Sequence, residues 1–345
     1  MSLHRKRVRQ RCQPCRRHRS RWPCRSFQRK SPRQPSSTRP ALFRLADPSA
    51  TAKSWAELAR KVEDLGFVRL TVSDHLDEQL APVPALMAAA NATSRLRIGS
   101  LVFCNDYRHP AVLAKEAATL DLLSDGRLDL GLGAGWMSAD YERAGIPMDT
   151  PGERIDRLEE AVQVILGLFS EGPCTFLGEH YRIDGLSGLP KPRQTPHPPL
   201  FIGGGGKKVL QLAARYANII GLNPKLTAGV IDSSVGADAT EAATDRKLAW
   251  IAQAAGPRFA ELEIQVRTQI VIVTNERHAV AESLAAGFGL TAEEALKTPH
   301  ALAGTCEQIV EDLLYRRERF GITSVGVDMD AIDSLGPVIA ALDGR

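Results

Sequence analysis

Two spacings of apolar residues alternate along most of the chain: a helical spacing of three to four residues, and short continuous apolar runs. The segment TAKSWAELARKVEDLGF has apolar residues at helical spacing and ends near Gly66. The β-rich run FVRLTV follows it. This order of helix and strand recurs, which predicts a chain built from βα repeats.

Seven such repeats are predicted. The further helices lie over residues 84–93, 110–123, 153–169, 207–216, 240–255 and 305–320, and the strands after them are RLRIGSLVF, LDLGLG, PLFIGG, ANIIGL, ELEIQVRTQIVIVT and ITSVGVDM. Short apolar strands separated by helices are typical of a parallel sheet covered on both faces. The length of 345 residues and the number of repeats favour an α/β fold of the (β/α)8 TIM barrel type, with insertions, over an open sheet.

The first strand of this barrel is weak or missing in the sequence. It should precede Thr51, where only PALFRLAD is available, and Leu42, Phe43 and Leu45 could form a short strand there. The segment CTFLGEHYRIDGLSGLPKPRQTPHPP is long for a loop, and we expect a small hairpin within it.

Charge divides the chain into two parts. Residues 1–44 hold 15 of the 44 Lys and Arg residues and none of the 40 Asp and Glu residues. The remainder, 45–345, therefore has 29 basic and 40 acidic residues, a net charge of −11, and is the predicted barrel. The first 44 residues are interpreted as a basic leader.

The leader allows four interpretations. It could be an arm that binds nucleic acid, a transit peptide, or a zinc knot, because Cys12, Cys15, His18 and Cys24 have C-x2-C-x2-H-x5-C spacing. We favour the fourth, a disordered and dispensable extension, or a start or reading frame assigned wrongly, because the segment lacks the apolar residues that folding requires.

Several classes of protein are disfavoured. No run of about 18 apolar residues occurs, so we expect no membrane partner. The six cysteines do not form a disulfide framework, which favours the reducing cytoplasm. No metal-ligating motif such as HExxH is present, and a nucleic-acid partner is not favoured; the expected partner is a small-molecule substrate.

Candidate chemistry lies at the carboxyl ends of the predicted strands, where barrel enzymes place their active sites. Asp74 and His75 follow the second strand and form the best acid–base candidate, although Asp74 could instead cap a turn. Arg108 could pair with a ligand carboxylate or with Asp106, and His109, which precedes a proline, is expected to position its loop.

Two glycine-rich stretches also lie at strand ends. In GGGGKK, Gly203, Gly204, Gly205 and Gly206 run into a helix that starts with Lys207 and Lys208, which predicts a phosphate cradle rather than only a flexible turn. In LGLGAGW, glycines interrupt a strand, which indicates close approach of a ligand or of another part of the backbone.

These landmarks together resemble the luciferase-like monooxygenase superfamily over roughly residues 45–345. The resemblance is carried by VSDH, RHPAVLAKEAATLDLLSDGRLDLGLGAGW, YERAGIPMDTPGERIDRLEEAVQVI, PPLFIGGGGKKVLQLAARYANIIGL and GTCEQIVEDL. It implies a luciferase-like TIM barrel that binds FMN or the deazaflavin coenzyme F420. The SDH motif and the poly-glycine loop are more similar to the F420-dependent branch.

The resemblance also implies roles for individual residues. His75 would be catalytic, near the reactive carbon of the deazaflavin, and the segment 101–105 would back the ring, where the family often has a non-prolyl cis peptide. The implied cofactor-binding residues are Asp74, His75, Asn105, Ala134, Gly135, Gly203, Gly204, Gly205, Gly206, Lys207 and Lys208. The glycines of LGLGAGW would let a flat ring lie against the strand end.

Trp136 stands where sugar-phosphate dehydrogenases of the superfamily carry a carboxylic acid, so their acid role and substrate are not supported. We expect Trp136 to shape an apolar substrate pocket.

The resulting hypothesis is an F420-dependent oxidoreductase that transfers a hydride between the deazaflavin and a small organic substrate, with a homodimer as an expectation from the resemblance. The alternatives are an FMN-dependent monooxygenase that activates O2, and a protein without catalysis that binds a cofactor or, through its leader, nucleic acid.

Overall fold

The computed structural model describes residues 39–44, 49–77, 79–226 and 233–342. The predictions made for the leader before residue 39, including the zinc knot, the nucleic-acid arm and disorder, lie outside the described residues. Within the described residues, no helix is both long and apolar enough to cross a membrane.

The described strands are of two kinds, those of one large sheet and those of two small ones. They are β1 (Arg39–Arg44), β2 (Arg69–Val72), β3 (Arg97–Ser100), β4 (Phe103–Cys104), β5 (Leu128–Gly133), β6 (Cys174–Leu177), β7 (Arg182–Leu186), β8 (Leu200–Gly204), β9 (Ile219–Leu222), β10 (Glu263–Arg267), β11 (Ile270–Val273), β12 (Ala301–Gly304) and β13 (Ile322–Val327).

Helices follow most strands of the large sheet. They are α1 (Ala52–Asp64), α2 (Pro82–Ala92), α3 (Pro110–Leu123), α4 (Ser138–Ala144), α5 (Pro151–Phe169), α6 (Lys207–Tyr216), α7 (Glu241–Ala255), α8 (Arg277–Phe288), α9 (Ala292–Lys297), α10 (Cys306–Phe320) and α11 (Ile332–Leu342). Short 3₁₀ helices occur at Asn105–Tyr107, Ser233–Asp238, Gly256–Glu261 and Met329–Ala331.

The large sheet closes on itself as a parallel barrel. Its strands follow the order β3-β2-β1-β13-β10-β9-β8-β5, and β5 pairs in turn with β3. Continuously buried runs such as β2 and β5 line it, as expected for a sheet covered on both faces. The predicted luciferase-like (β/α)8 fold is confirmed.

The barrel begins earlier than its composition suggests. The backbone of β1 pairs with β13, where Ala41 lies opposite Gly326, and with β2, where Ala41 lies opposite Arg69. These six residues lie inside the segment predicted as leader. A strand paired on both sides through its backbone therefore precedes the predicted boundary after residue 44, despite its basic sequence.

Two small two-stranded sheets are added to the barrel. The expected hairpin is confirmed as the antiparallel pair β6–β7. The stretch ELEIQVRTQIVIVT, predicted as one strand, is divided at Thr268 and Gln269 into the barrel strand β10 and into β11, which pairs with β12 in a separate two-stranded sheet.

Helix ends follow the local sequence. Thr51 and Ser54 form a capping box at the start of α1, whose buried face repeats at Trp55, Ala59 and Val62. Thr150 and Glu153 form another at the start of α5. These caps fix the first turns of helices that flank the carboxyl ends of the strands.

A buried ionic cluster fills the opposite, amino-terminal end of the barrel. Arg69 on β2 and Arg97 on β3 both donate to the carboxylate of Asp129 on β5. Arg69 also reaches across the barrel to Glu263 on β10, with Nη1 3.5 Å from Oε1. Charge at this end serves stability, because barrel chemistry is placed at the other end.

Candidate functional site

His75 lies just beyond the carboxyl end of β2, where the sequence places it. Its Nδ1 lies 2.7 Å from Oδ2 of Asp140, in the first turn of α4. The ring of Trp136 contacts the imidazole edge-on, with centroids 5.7 Å apart. The side chain of His75 is 18% exposed and that of Asp140 only 2%, so the imidazole can meet a ligand while the carboxylate cannot.

A second donor shares the Asp140 carboxylate. The hydroxyl of Tyr107 donates to the same Oδ2 at 3.2 Å. Burial, and then the neighbouring Cys104 and Asp140, raise the pKa of Tyr107, so the phenol stays neutral at physiological pH. The site therefore contains a histidine, a carboxylate and a phenol joined by hydrogen bonds.

Asp74 does not join this group. Both of its oxygens accept from Arg108, at 2.7 and 3.0 Å, and Oδ2 also accepts the backbone N–H of Cys104 at 2.9 Å. The guanidinium of Arg108 thus neutralises Asp74, and a shared role of Asp74 and His75 beside a cofactor stays a prediction. Arg108 pairs with Asp74 and not with Asp106, while its pairing with a ligand carboxylate stays a prediction.

Asp106 is held by other groups. It accepts from the hydroxyl of Tyr141 at 2.9 Å and from Nη1 of Arg157 at 2.8 Å. Cys104 lies 3.4 Å from the Tyr141 hydroxyl, and burial raises the pKa of its thiol to about 11. A thiol with that pKa stays protonated and is a poor nucleophile.

The glycines at the end of β5 are required by the close packing of neighbouring residues, which leaves no room for a side chain. A Cβ on Gly131 would collide with the carbonyl oxygen of Ser100, and one on Gly133 would lie 2.5 Å from the side chain of Val102. Gly135 has a φ of +76°, and its Cβ would collide with the hydroxyl of Tyr141. Close approach of other protein atoms thus accounts for these glycines, and the interpretation that they let a flat ring lie against the strand end stays a prediction. The roles of Ala134 and Gly135 beside a cofactor stay predictions.

The expected non-prolyl cis peptide is present between Leu101 and Val102. Next to it, Asn105 is buried and donates to the hydroxyl of Tyr181 in the insertion at 3.1 Å. His109 accepts the N–H of Ala111 and caps α3, which confirms its loop-positioning role.

The turn between β8 and α6 has open space beside one of its four glycines, Gly206. Three of its four glycines are crowded: a Cβ on Gly203 or Gly204 would meet side chains, and one on Gly205 would lie 2.6 Å from the carbonyl oxygen of Asn223. A Cβ on Gly206 would meet nothing within 4 Å, and no side chain caps the helix there. The free amides of α6 are therefore accessible from Gly206.

The two lysines after this turn differ. Nζ of Lys208 lies 2.7 Å from Oδ2 of Asp156 and 3.0 Å from the carbonyl oxygen of Gly152, so Lys208 ties α6 to α5. Lys207 is exposed and has no ion pair or hydrogen bond with the residues that the structure describes. Of the pair, Lys207 is the cation left for a ligand.

Arg154 in the first turn of α5 is a functional candidate that the sequence analysis missed. It is 6% exposed, and its Nε and Nη1 are buried without a hydrogen-bond partner in the described structure. Its guanidinium carbon lies 5.8 Å from the centre of the Tyr141 ring. A buried cation without an anion is costly, so this side chain calls for a negatively charged ligand.

The site residues that the sequence did not predict were all missed for the same reason. No spacing rule connects with His75 the residues that lie on a 3₁₀ helix or on the first two turns of α4 and α5, namely Tyr107, Asp140, Tyr141, Arg154 and Arg157. Asp140 had the only local signal, as an acidic residue in the turn after GAGW. Among the residues described, no group of three or more His, Cys, Asp and Glu side chains could hold a metal ion.

The sequence was then compared with known families. The family model described as luciferase-like monooxygenase matches residues 31–324. The chain belongs to the luciferase-like monooxygenase family. The resemblance stated from its motifs is confirmed, and the match begins within the segment predicted as leader.

Relatives in this luciferase-like family use different cofactors. An FMNH2-dependent dimethylsulfone monooxygenase from Pseudomonas putida is 29% identical over 168 residues, which are 47% of this chain and 46% of that protein. An F420-dependent hydroxymycolic acid dehydrogenase from Mycobacterium tuberculosis is 34% identical over 168 residues, 46% of each protein. The chain thus spans about half the length of the relatives it matches.

Solved structures of the luciferase-like type share the fold. The coenzyme F420-dependent tetrahydromethanopterin reductase of Methanopyrus kandleri superposes with a TM-score of 0.68 at 19% identity, covering 89% of this chain and 99% of that one. This likeness supports the barrel and its closure.

Proposed function

We propose that this chain is an F420-dependent oxidoreductase that transfers a hydride between the deazaflavin and a small organic substrate at the carboxyl ends of its barrel strands. The buried, unpaired guanidinium of Arg154 is the observation that carries the proposal. It lies at the face of the barrel where the family is expected to bind its cofactor, and both candidate cofactors carry a phosphate.

The residues present fit an anionic cofactor. Lys208 ties the first turn of α6 to the first turn of α5, which carries Arg154. Uncapped helix amides at Gly206, with the cation of Lys207 next to them, favour a phosphate. These three groups would hold the phosphate, while Gly203, Gly204 and Gly205 shape the turn that exposes the amides.

His75 would handle a proton beside the reacting centre. The bound cofactor would supply the hydride chemistry. The imidazole, oriented by Asp140 at Nδ1, would accept or return a proton at its other ring nitrogen. The indole of Trp136 packs on the imidazole and would exclude water from the substrate side.

F420 is favoured over FMN on two grounds. The SDH motif at 73–75 and the glycine run at 203–206 resemble the F420-dependent branch, and F420-dependent relatives reach 35% identity. The rival is an FMN-dependent monooxygenase that activates O2. The dimethylsulfone monooxygenase relative is the observation that supports it.

A fluorescence titration of the full chain with F420, and separately with FMN, tests the proposal. We expect F420 to bind at least about tenfold more tightly, a difference of roughly 1.4 kcal/mol. Tight FMN binding, with oxygen consumption when FMN is supplied reduced, would replace the proposal with the monooxygenase. Binding of neither cofactor would overturn both.

Arg154→Met should separate ligand binding from stability. We expect F420 binding to weaken by about 10- to 100-fold through loss of a charged contact. The melting temperature of the cofactor-free protein should stay or rise, because an unpaired buried charge is removed. Titration and calorimetry measure the two effects.

Arg157→Met is the matched control, three residues along the same helix. Arg157 pairs with Asp106, whose side chain is 2% exposed, so its loss should lower the melting temperature. If Arg154→Met lowered stability as Arg157→Met does and left F420 binding unchanged, Arg154 would be structural.

A further inference from the structure

We infer that Asp140 is a positioning residue that holds His75 in the tautomer with the proton on Nδ1, with Tyr107 as a second donor to the same carboxylate oxygen. The inference rests on the proposed function for its catalytic meaning. Its structural content concerns these three side chains alone, and it makes Nε2 the nitrogen that accepts or returns a proton.

The direction of the bond follows from what Asp140 can do. An ionised carboxylate only accepts hydrogen bonds, and Oδ2 of Asp140 faces Nδ1 of His75 at 2.7 Å. The Tyr107 hydroxyl converges on the same oxygen at 3.2 Å. Burial, and then the neighbouring Cys104 and Asp140, raise the pKa of that phenol, so it keeps its proton and donates it to Oδ2. Nδ1 must then be the donor.

Burial of the Asp140 side chain favours this one arrangement of Asp140 and His75. The Asp140 side chain is only 2% exposed, so water competes little for the carboxylate. Trp136 packs edge-on against the imidazole and opposes rotation of the ring. Fixing the imidazole before a ligand arrives lowers the entropic cost of reaching a reactive geometry.

The tautomer can be measured without any cofactor. In the full chain labelled with ¹⁵N-histidine, two-dimensional ¹H–¹⁵N spectra distinguish protonated from unprotonated ring nitrogens, and the His75→Gln variant assigns the His75 signals among the eight histidines. We expect Nδ1 to be protonated and Nε2 unprotonated. In Asp140→Ala the preference should shift to Nε2–H, the form that isolated imidazole side chains favour in water.

Turnover provides the second measurement. Asp140→Ala should lower kcat by about 100-fold or more, the range of a general acid–base contribution, with little change in KM. Tyr107→Phe should keep the Nδ1–H tautomer, because Asp140 remains. Asp77→Ala is the matched control: it breaks the ion pair that Asp77, two residues after His75, makes with Arg143 of α4, and should change neither the tautomer nor kcat.

The outcomes separate the two claims. An Nε2–H tautomer in the unmodified protein, or an unchanged tautomer in Asp140→Ala, overturns the inference whatever the activity. The expected tautomers with no effect of Asp140→Ala on kcat overturn its positioning role. If F420 does not bind while the tautomers are as expected, the proposed function fails and the structural assignment stands.

Discussion

Replacing His75 by alanine is expected to reduce turnover by about 10²- to 10⁴-fold, the range that positioned acid–base groups contribute. F420 binding should change by less than about tenfold, or 1.4 kcal/mol, because Arg154, Lys207 and the amides at Gly206 remain. Single-turnover kinetics at saturating cofactor, together with fluorescence titration, measure the two quantities separately.

His75→Gln sharpens this test. Glutamine can still donate to Asp140 and fill much of the space beside Trp136, but it cannot take a proton near neutral pH. We therefore expect His75→Gln to lose nearly as much turnover as His75→Ala. Recovery of activity in the glutamine variant would mean that His75 acts by shape or hydrogen bonding alone.

His109→Ala is the control on the same face of the barrel. His109 caps α3 through the N–H of Ala111, so its loss should cost about 1 kcal/mol of stability. It should leave turnover within a few-fold, because no acid–base role falls to it. Equal losses in the two alanine variants would mean that neither histidine is specific to the reaction.

Helices of the fold were predictable where the residues that specify them lie within or next to the helix in the sequence. The predicted helices 110–123 and 207–216 coincide with α3 and α6, since α6 combines an apolar stripe with a glycine run before it, and α3 is a mostly apolar segment that begins at a proline. By contrast, α8 was missed, because Ala281 is its only buried residue and it has no apolar stripe to detect.

The site was predictable only in part, for a related reason. Because parallel strands end at one face of the barrel, the position of His75 followed from the sequence. Its partner did not: the sequence suggested Asp74, and only the fold shows that Arg108 neutralises Asp74 and that Asp140 faces His75.

The same limit applies to the lysines after the glycine run. Lys207 and Lys208 are equivalent as sequence neighbours. They differ in space because Asp156, one turn into α5, binds Lys208. Contacts between helices far apart in sequence thus decide which of two identical side chains can reach a ligand.

Replacing Asp129 should have the largest effect on stability. Asp129 is fully buried at the amino-terminal end of the barrel and accepts from Arg69 and Arg97. Asp129→Ala leaves the buried guanidinium of Arg69 without its main counter-charge, and breaking such a pair costs about 3–5 kcal/mol. That is a large part of the 5–15 kcal/mol typical of a domain.

Asp129→Asn keeps the volume and should also destabilise, by less, since an amide can still accept from one arginine. Asp333→Asn is the matched control: Asp333 pairs with Lys61, but both side chains are largely exposed, so about 1 kcal/mol or less is at stake. Urea unfolding followed by circular dichroism compares the three variants. Equal midpoints for Asp129→Asn and Asp333→Asn would contradict the assignment.

The loss of stability in acid tests the direction in which the pKa of Asp129 is shifted by folding. Burial by itself raises the pKa of Asp129, but the charges of Arg69 and Arg97 outweigh it and hold the pKa below its ordinary value of 3.8. A carboxyl with a lowered folded-state pKa stabilises the fold above its unfolded pKa, and that stability is lost as pH falls through the folded pKa. The unmodified protein should therefore lose this contribution only below about pH 4, where Asp129 is protonated in the unfolded chain first. Asp129→Asn should have a shallower loss of stability there, because its amide does not titrate.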